Sequence, residues 1–385
     1  MNTFVRVCVG VLAIGPLVAS AQVKSVVLPL GSTGYESGHV LGVAVQGVRQ
    51  AVDTLGTRPT VMIAEYRQSA NDGWYLGGTY DRWTAGNQRR TAVHAFVSKE
   101  PIVFFDSDAR LMPRRHGIDL TQQWRRTERT WTYFGVGLHE SEGDGSYSFP
   151  IGGIPWTPCD TTGPCGAPLH LQIPPNGVTT VIRRPDDLSV GIGGGGVTPE
   201  YQALSARLGS VTDTRDNIFA PSRGRVLDLS VRASSISFGN PDSERYYSAR
   251  AELRGYRSLA SGAVLAGQMF VGLDSELLPE FESAGFCRIG RGFAPGRAPG
   301  DLAVSLEGEW RGPTQWMRNR LGSTLFGSIS SVHYNRGNPN FGPFIAAGVG
   351  LRYRIDPETR NTLRLDVAFN SDQKPVLLLA LQEAF

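Results

Sequence analysis

After residue 21 the chain has no apolar run of 18 or more residues, which excludes a helical membrane span. Lysine is nearly missing, at Lys24, Lys99 and Lys374 only, so the basic side of the charge balance is arginine. The net charge of +3 is too small to argue for nucleic acid or an acidic polymer as partner. Helical periodicity with capping residues is hard to find anywhere. Catalytic signatures are missing too: there is no GxSxG, no HExxH and no metal-spaced histidine cluster, and His39, His94, His116, His139, His170 and His333 are scattered. No enzymatic activity, cofactor or metal is expected.

What is present begins with an export signal. Arg6 precedes an apolar run over 7–18, and Ala19-Ser20-Ala21 is a small-residue cleavage site, so residues 1–21 read as a signal peptide. Cys8 leaves with it. Of the three cysteines that remain, Cys159 and Cys165 bracket the tight polar loop DTTGP and read as a disulfide in an oxidising compartment, with Cys287 left over. Three cysteines without nearby histidine make a poor zinc signature.

Glycine is abundant (47), tyrosine and tryptophan together number 19, and many segments alternate apolar and polar residues. Leu227, Leu229, Val231 and Ala233 oppose Asp228, Ser230, Arg232 and Ser234. Tyr247, Ala249, Ala251 and Leu253 oppose Arg250, Glu252 and Arg254. Ala347, Val349, Leu351 and Tyr353 oppose Gly348, Gly350, Arg352 and Arg354, and Leu363, Leu365, Val367 and Phe369 oppose Arg364, Asp366 and Ala368. Period-two alternation with aromatics near strand ends is the pattern of a transmembrane β-barrel. A soluble all-β sandwich or propeller competes, its polar face being the solvent side. The charged ladders favour a water-filled lumen, because no helix stands ready to cover the apolar band opposite.

Strands are predicted near 39–47, 60–67, 74–83, 91–97, 118–125, 132–138, 201–212, 226–237, 246–257, 263–273, 302–310, 324–334, 344–355, 362–370 and 376–385. A closed single-chain barrel takes an even number, so about 16 antiparallel strands are expected, the missing one near 102–105. Residues 22–38 then form a short N-terminal segment and 39–385 the barrel, with 140–199 a long extracellular loop and 275–300 a loop folded into the lumen between the eleventh and twelfth strands. The run GIGGGG at 191–196 lacks the Lys-Ser/Thr and helix of a phosphate loop and reads as flexible loop.

Four motifs carry a resemblance: DTRDNIFAPSRG over 213–224; Arg291-Gly292-Phe293 followed by Glu309-Trp310-Arg311; GVGLRYRI with LRLDVAF; and the ending LLLALQEAF. In this order, behind a signal peptide, they resemble the BamA/TamA family of bacterial outer-membrane barrels (the bacterial surface antigen type), here without periplasmic POTRA domains. The resemblance implies that Arg291, Gly292 and Phe293 enter the lumen, with Glu307, Glu309 and Asp366 as candidate partners for the arginine. Ser328 and Ser330 stand where the family usually has Asp and Gly. It also implies that Asp213, Arg215, Asp216, Asn217, Pro221 and Gly224 form a periplasmic turn, and that Phe385 is the signal for the barrel's own assembly. The family's role would be outer-membrane protein assembly or macromolecule export through a seam between the first and last strands, here 39–47 and 376–385. The implied partners are the lipid bilayer and unfolded outer-membrane proteins or a separate periplasmic protein, with no nucleic acid. A plugged pore or a surface-exposed antigen barrel is the alternative.

Overall fold

The computed structural model describes residues 23–381 apart from 36–37, 51–56, 71, 85, 100–101, 104–109, 112, 143–179, 184–188, 193–200, 238–242, 276–289, 294–299, 314–315, 334–339, 357–359 and 372–374. The signal peptide, the Cys159–Cys165 disulfide, Cys287 and Phe385 lie outside the described residues.

The fold is a closed antiparallel barrel of sixteen strands. They are β1 (Val23–Tyr35), β2 (Gly38–Arg49), β3 (Thr60–Ser69), β4 (Trp74–Thr84), β5 (Arg89–Lys99), β6 (Arg114–Arg125), β7 (Thr130–Glu142), β8 (Tyr201–Asp213), β9 (Gly224–Ser237), β10 (Ser243–Ser258), β11 (Val264–Asp274), β12 (Leu302–Arg311), β13 (Leu321–His333), β14 (Asn340–Asp356), β15 (Asn361–Asn370) and β16 (Pro375–Leu381). Each strand pairs with its sequence neighbours, and β16 returns to β1.

The sixteenth strand is not where the sequence pattern put it. Ile102–Val103 pairs with Arg110–Leu111 in a small hairpin outside the barrel. The missing strand is β1, so most of the stretch read as a short N-terminal segment is barrel wall, and the closing seam joins β16 to residues 31–33 rather than to 39–47. Within the long loop at 140–199, Thr180–Arg183 and Ser189–Ile192 pair as a second hairpin.

Alternation sorts the two faces. Leu229 and Val231 on β9 are 46% and 57% exposed on the outer surface, while Ser230 between them is buried. The same exposed outer band continues through Leu306, Leu325, Ile329, Val349 and Phe369. A closed sheet suits such a band because its strands pair all the way round, by three residue pairs among the described residues at the β16–β1 seam, which leaves few backbone groups stranded in lipid.

The connections differ by end. The β5–β6, β7–β8 and β11–β12 links (100–113, 143–200 and 275–301) all leave the end that may be termed the loop end. With an even strand count, β1 starts and β16 finishes at the opposite end. That turn end carries only the shorter links, among them 85–88, 126–129, 214–223 and 357–360.

Candidate functional site

Residues 290–293 lie inside the barrel. Gly290 and Gly292 have φ of 95° and 109°, in the region that favours glycine. A Cβ on Gly292 would sit 3.1 Å from the Ala368 methyl and 3.2 Å from that of Ala346, so the loop backbone rests against β14 and β15. Asn370 Nδ2 donates to the Gly292 carbonyl at 2.8 Å. Phe293 is buried with Phe270, Ala303, Val332 and Ala346 and meets Phe344 edge-on, ring centres 5.4 Å apart.

These contacts hold Arg291 in the middle of the lumen charges. Its Nε donates to Glu307 at 2.8 Å, and Nη2 also reaches Glu307. Nη2 lies 2.6 Å from Glu309 Oε2 and Nη1 lies 3.3 Å from Asp366 Oδ2. The guanidinium covers the Phe326 ring at 4.1 Å. Ser330 hydrogen-bonds Ser305 at 2.8 Å, and Ser328 stands against Gly290, where an added Cβ would come within 2.6 Å of its Oγ.

Three more arginines surround the carboxylates. Arg352 donates to Asp366 at 2.5 Å and to Glu309 at 3.3 Å, Arg311 holds Glu309 at 2.5 Å, and Arg364 lies 3.5 Å from Asp366. Among the described residues, four guanidiniums therefore face Glu307, Glu309 and Asp366. Planar guanidiniums suit this arrangement because one fork can serve two carboxylates. The polar-face pattern already carried Arg352 and Arg364. What it lacked was the strand register that brings them to residues on β12 and the loop.

The second segment inside the barrel is the 214–223 turn. Asp213 accepts from Arg215 through Nε, Nη2 and the backbone N–H, each at 3.0 Å. Asn217 Oδ1 accepts the N–H groups of Phe219 and Ala220, and Asp216 accepts those of Ser222 and Arg223 together with the Ser222 hydroxyl. Gly224 closes the turn with φ of 104°. These side-chain bonds replace backbone pairing in a compact turn. They also set its charges. Burial would raise the Asp216 carboxyl, but the bonds from Ser222, Arg223 and Arg360 outweigh it and hold its pKa low. Burial would likewise lower Arg215, and Asp213 outweighs that to raise it.

The turn crosses the mouth of the barrel. Phe219 is buried against Val48 and Val61 on β2 and β3, six strands from the turn's own β8 and β9, with Ile63 and Ile218 beside it. Arg58, ahead of β3, pairs with Asp213 at 2.9 Å and stacks over Trp83 at 4.8 Å. Arg360 in the β14–β15 link reaches Asp216 at 3.0 Å, and Ser258 donates to the Ser222 carbonyl at 2.9 Å. Arg311 Nη1 donates to the Pro221 carbonyl at 3.3 Å. Of these contacts, the roles of Arg58 and Phe219 had no signal in the sequence, since both depend on which walls face each other.

No family model and no curated protein matches the sequence. Among solved structures, BamA from Haemophilus ducreyi lacking POTRA domains 1–3 is similar, with a TM-score of 0.53 and 13% identity over 93% of this chain and 70% of that one. CdiB from Acinetobacter baumannii is similar with a TM-score of 0.56 and 10% identity, over 94% of this chain and 60% of the other. The likeness is one of fold: a barrel shared with BamA and CdiB. The chain spans less than two thirds of the length of CdiB.

Proposed function

We propose that the chain is a barrel of the BamA/TamA type in a bacterial outer membrane, without a catalytic role, serving outer-membrane protein assembly or the export of macromolecules. In that setting the turn end faces the periplasm and the loop end the outside, following the usual asymmetry of short periplasmic turns and long external loops. The observation that carries the reading is the seam. Among the described residues, three pairs join β1 to β16, Gly31 with Leu379, Ser32 with Leu378 and Thr33 with Leu377, whereas seven pairs join β15 to β16. A short ladder is the easiest place to part a closed sheet, and a parted edge templates pairing with an incoming strand. The partners of this reading are the surrounding bilayer and an unfolded outer-membrane protein or a separate periplasmic protein.

The test uses liposomes containing the full chain with Ser32→Cys and Leu378→Cys, which face each other across the seam. A urea-unfolded small barrel is added and its folding rate measured. The reduced protein should accelerate folding over empty liposomes, and oxidation should remove the gain reversibly. Equal rates in reduced and empty liposomes would overturn the assembly reading.

A second reading, a plugged pore or surface antigen barrel, is favoured by the filling of the lumen from both ends by 290–293 and 214–223. Deleting 281–300 should then raise single-channel conductance, and an unchanged conductance would count against a pore.

A further inference from the structure

Beside the turn end, the outer face of β4–β6 carries a row of arginines that the lumen does not use. Arg89 on β5 stands opposite both Thr84 on β4 and Trp124 on β6, and Arg82 stands opposite Thr91, two residues along the same face. Trp124 points outward with Leu120 and Phe134, all three exposed. Their neighbours Trp83 and Trp131 point the other way and pack edge-on at 5.6 Å. A cleft of about 810 Å³ opens here, lined by Arg89, Trp124, Arg125, Arg126, Thr127 and Glu128 among others.

The cations of this cleft differ in how they are used. Arg125 braces the turn, donating from Nε to the Thr127 carbonyl at 2.9 Å and from Nη1 to that of Gly86 at 3.2 Å. Arg126 gives only its Nε, to Thr132 Oγ1 at 2.8 Å. Arg82 and Arg89 are exposed and have no side-chain partner among the described residues. Glu128 is the acid among the lining residues, against three arginines.

Along β6 from the turn end the outer face runs from Arg126 through Trp124 to Leu120, with Arg89 in register with Trp124, and Arg82 and Phe134 in register two residues further on, at Gln122. That is the profile of a phospholipid at an interface, phosphate first and acyl chain after. Indoles settle at the headgroup level, and a guanidinium binds a phosphate through a two-pronged, charge-assisted contact. A cation at the edge of hydrocarbon without a counter-charge is costly. We propose that Arg82, Arg89 and Arg126, around Trp124, bind the phosphate of an anionic phospholipid of the turn-end leaflet, its acyl chains lying on the wall of Leu120 and Phe134.

The full chain would be assembled in nanodiscs of phosphatidylcholine doped with phosphatidylglycerol, stripped by detergent, and its retained lipid identified by native mass spectrometry. Wild type should retain phosphatidylglycerol over phosphatidylcholine by roughly tenfold, the scale of one charge-assisted contact. The Arg82→Gln, Arg89→Gln, Arg126→Gln variant should fall to near parity while keeping the heat-modifiable gel mobility of a folded barrel. Arg257→Gln, an exposed arginine elsewhere on the same rim, should leave the preference unchanged. Equal retention by wild type and the triple variant, or an equal loss in Arg257→Gln, would overturn the site. Displacement of the lipid by inorganic phosphate alone would show a phosphate site and overturn the lipid assignment.

Discussion

Arg311 joins Glu309 to Pro221: its Nε holds the carboxylate at 2.5 Å while Nη1 donates to the carbonyl of the turn at 3.3 Å. Glu309 also meets Arg291 at 2.6 Å. The segment entering from the loop end and the one closing the turn end are thus linked through a single carboxylate and a single guanidinium, in the buried wall of β12. Arg311→Gln should cost about 1.5–3 kcal/mol, the range for a hydrogen bond to a charged group, because Glu309 keeps Arg291 and Arg352. Urea unfolding in detergent micelles measures it. A loss no larger than that of an exposed arginine variant such as Arg257→Gln would show that the link holds nothing.

The Phe219 ring closes the mouth by packing on Val48 and Val61 across the barrel. Phe219→Ala removes that buried contact and should destabilise by roughly 3 kcal/mol. It should also widen the turn-end opening, so ion conductance in planar bilayers should rise with the loop at 290–293 left in place. Unchanged conductance with lowered stability would mean that the lumen loop alone sets the barrier to ions.

The turn should also loosen in acid. Asp216 has its carboxyl pKa held low in the folded chain by the bonds from Ser222, Arg223 and Arg360, which outweigh the opposite effect of burial. A depressed folded-state pKa contributes stability that is complete above the unfolded value of about 3.9 and is lost as pH falls through the folded value. Wild type should therefore exceed Asp216→Asn in stability at neutral pH, and the two unfolding midpoints should converge once the pH has fallen below the depressed folded-state value. Because Arg360 is partly exposed, added salt should narrow the gap at neutral pH. A gap independent of pH would assign the turn's stability to its shape rather than to this charge.

The elements most legible in the sequence were those whose two faces meet different solvents. On β9 and β15 the choice of outward Leu229 and Phe369 against inward Ser230 and Asp366 follows from period two alone. Strand β1 escaped because Val26–Leu30 is an unbroken apolar run with Pro29 inside it, and proline argues against a strand with neighbours on both sides. The structure resolves this through the seam. Among the described residues β16 pairs with β1 at 31–33, so Pro29 lies beyond that ladder with β2 as its neighbour. For the lumen, residue types were legible and partners were not: Arg291 and Asp366 are 75 positions apart in the chain, and their meeting depends on β15 register and on where the loop enters.

Gly292 separates two reasons for a glycine. Its φ of 109° suits no L-residue well, and its Cα faces the Ala346 and Ala368 methyls, which an added Cβ would approach to 3.2 Å and 3.1 Å. Gly292→Ala should cost of order 1–3 kcal/mol, the range for backbone strain of this kind. It should also shift Arg291 away from Glu307 and Asp366, since the next residue back along the loop must follow. If crowding were the cause, adding Ala346→Gly to Gly292→Ala would restore most of the loss; if the dihedral is the cause, the double variant should stay as weak as the single. The geometry favours the second outcome, because contacts of 3.1–3.2 Å can relax by a few tenths of an ångström while φ is set by the hydrogen bond from Asn370 to the Gly292 carbonyl and by the seat of Phe293. Thermal unfolding of the three proteins, followed by heat-modifiable gel mobility, decides between them.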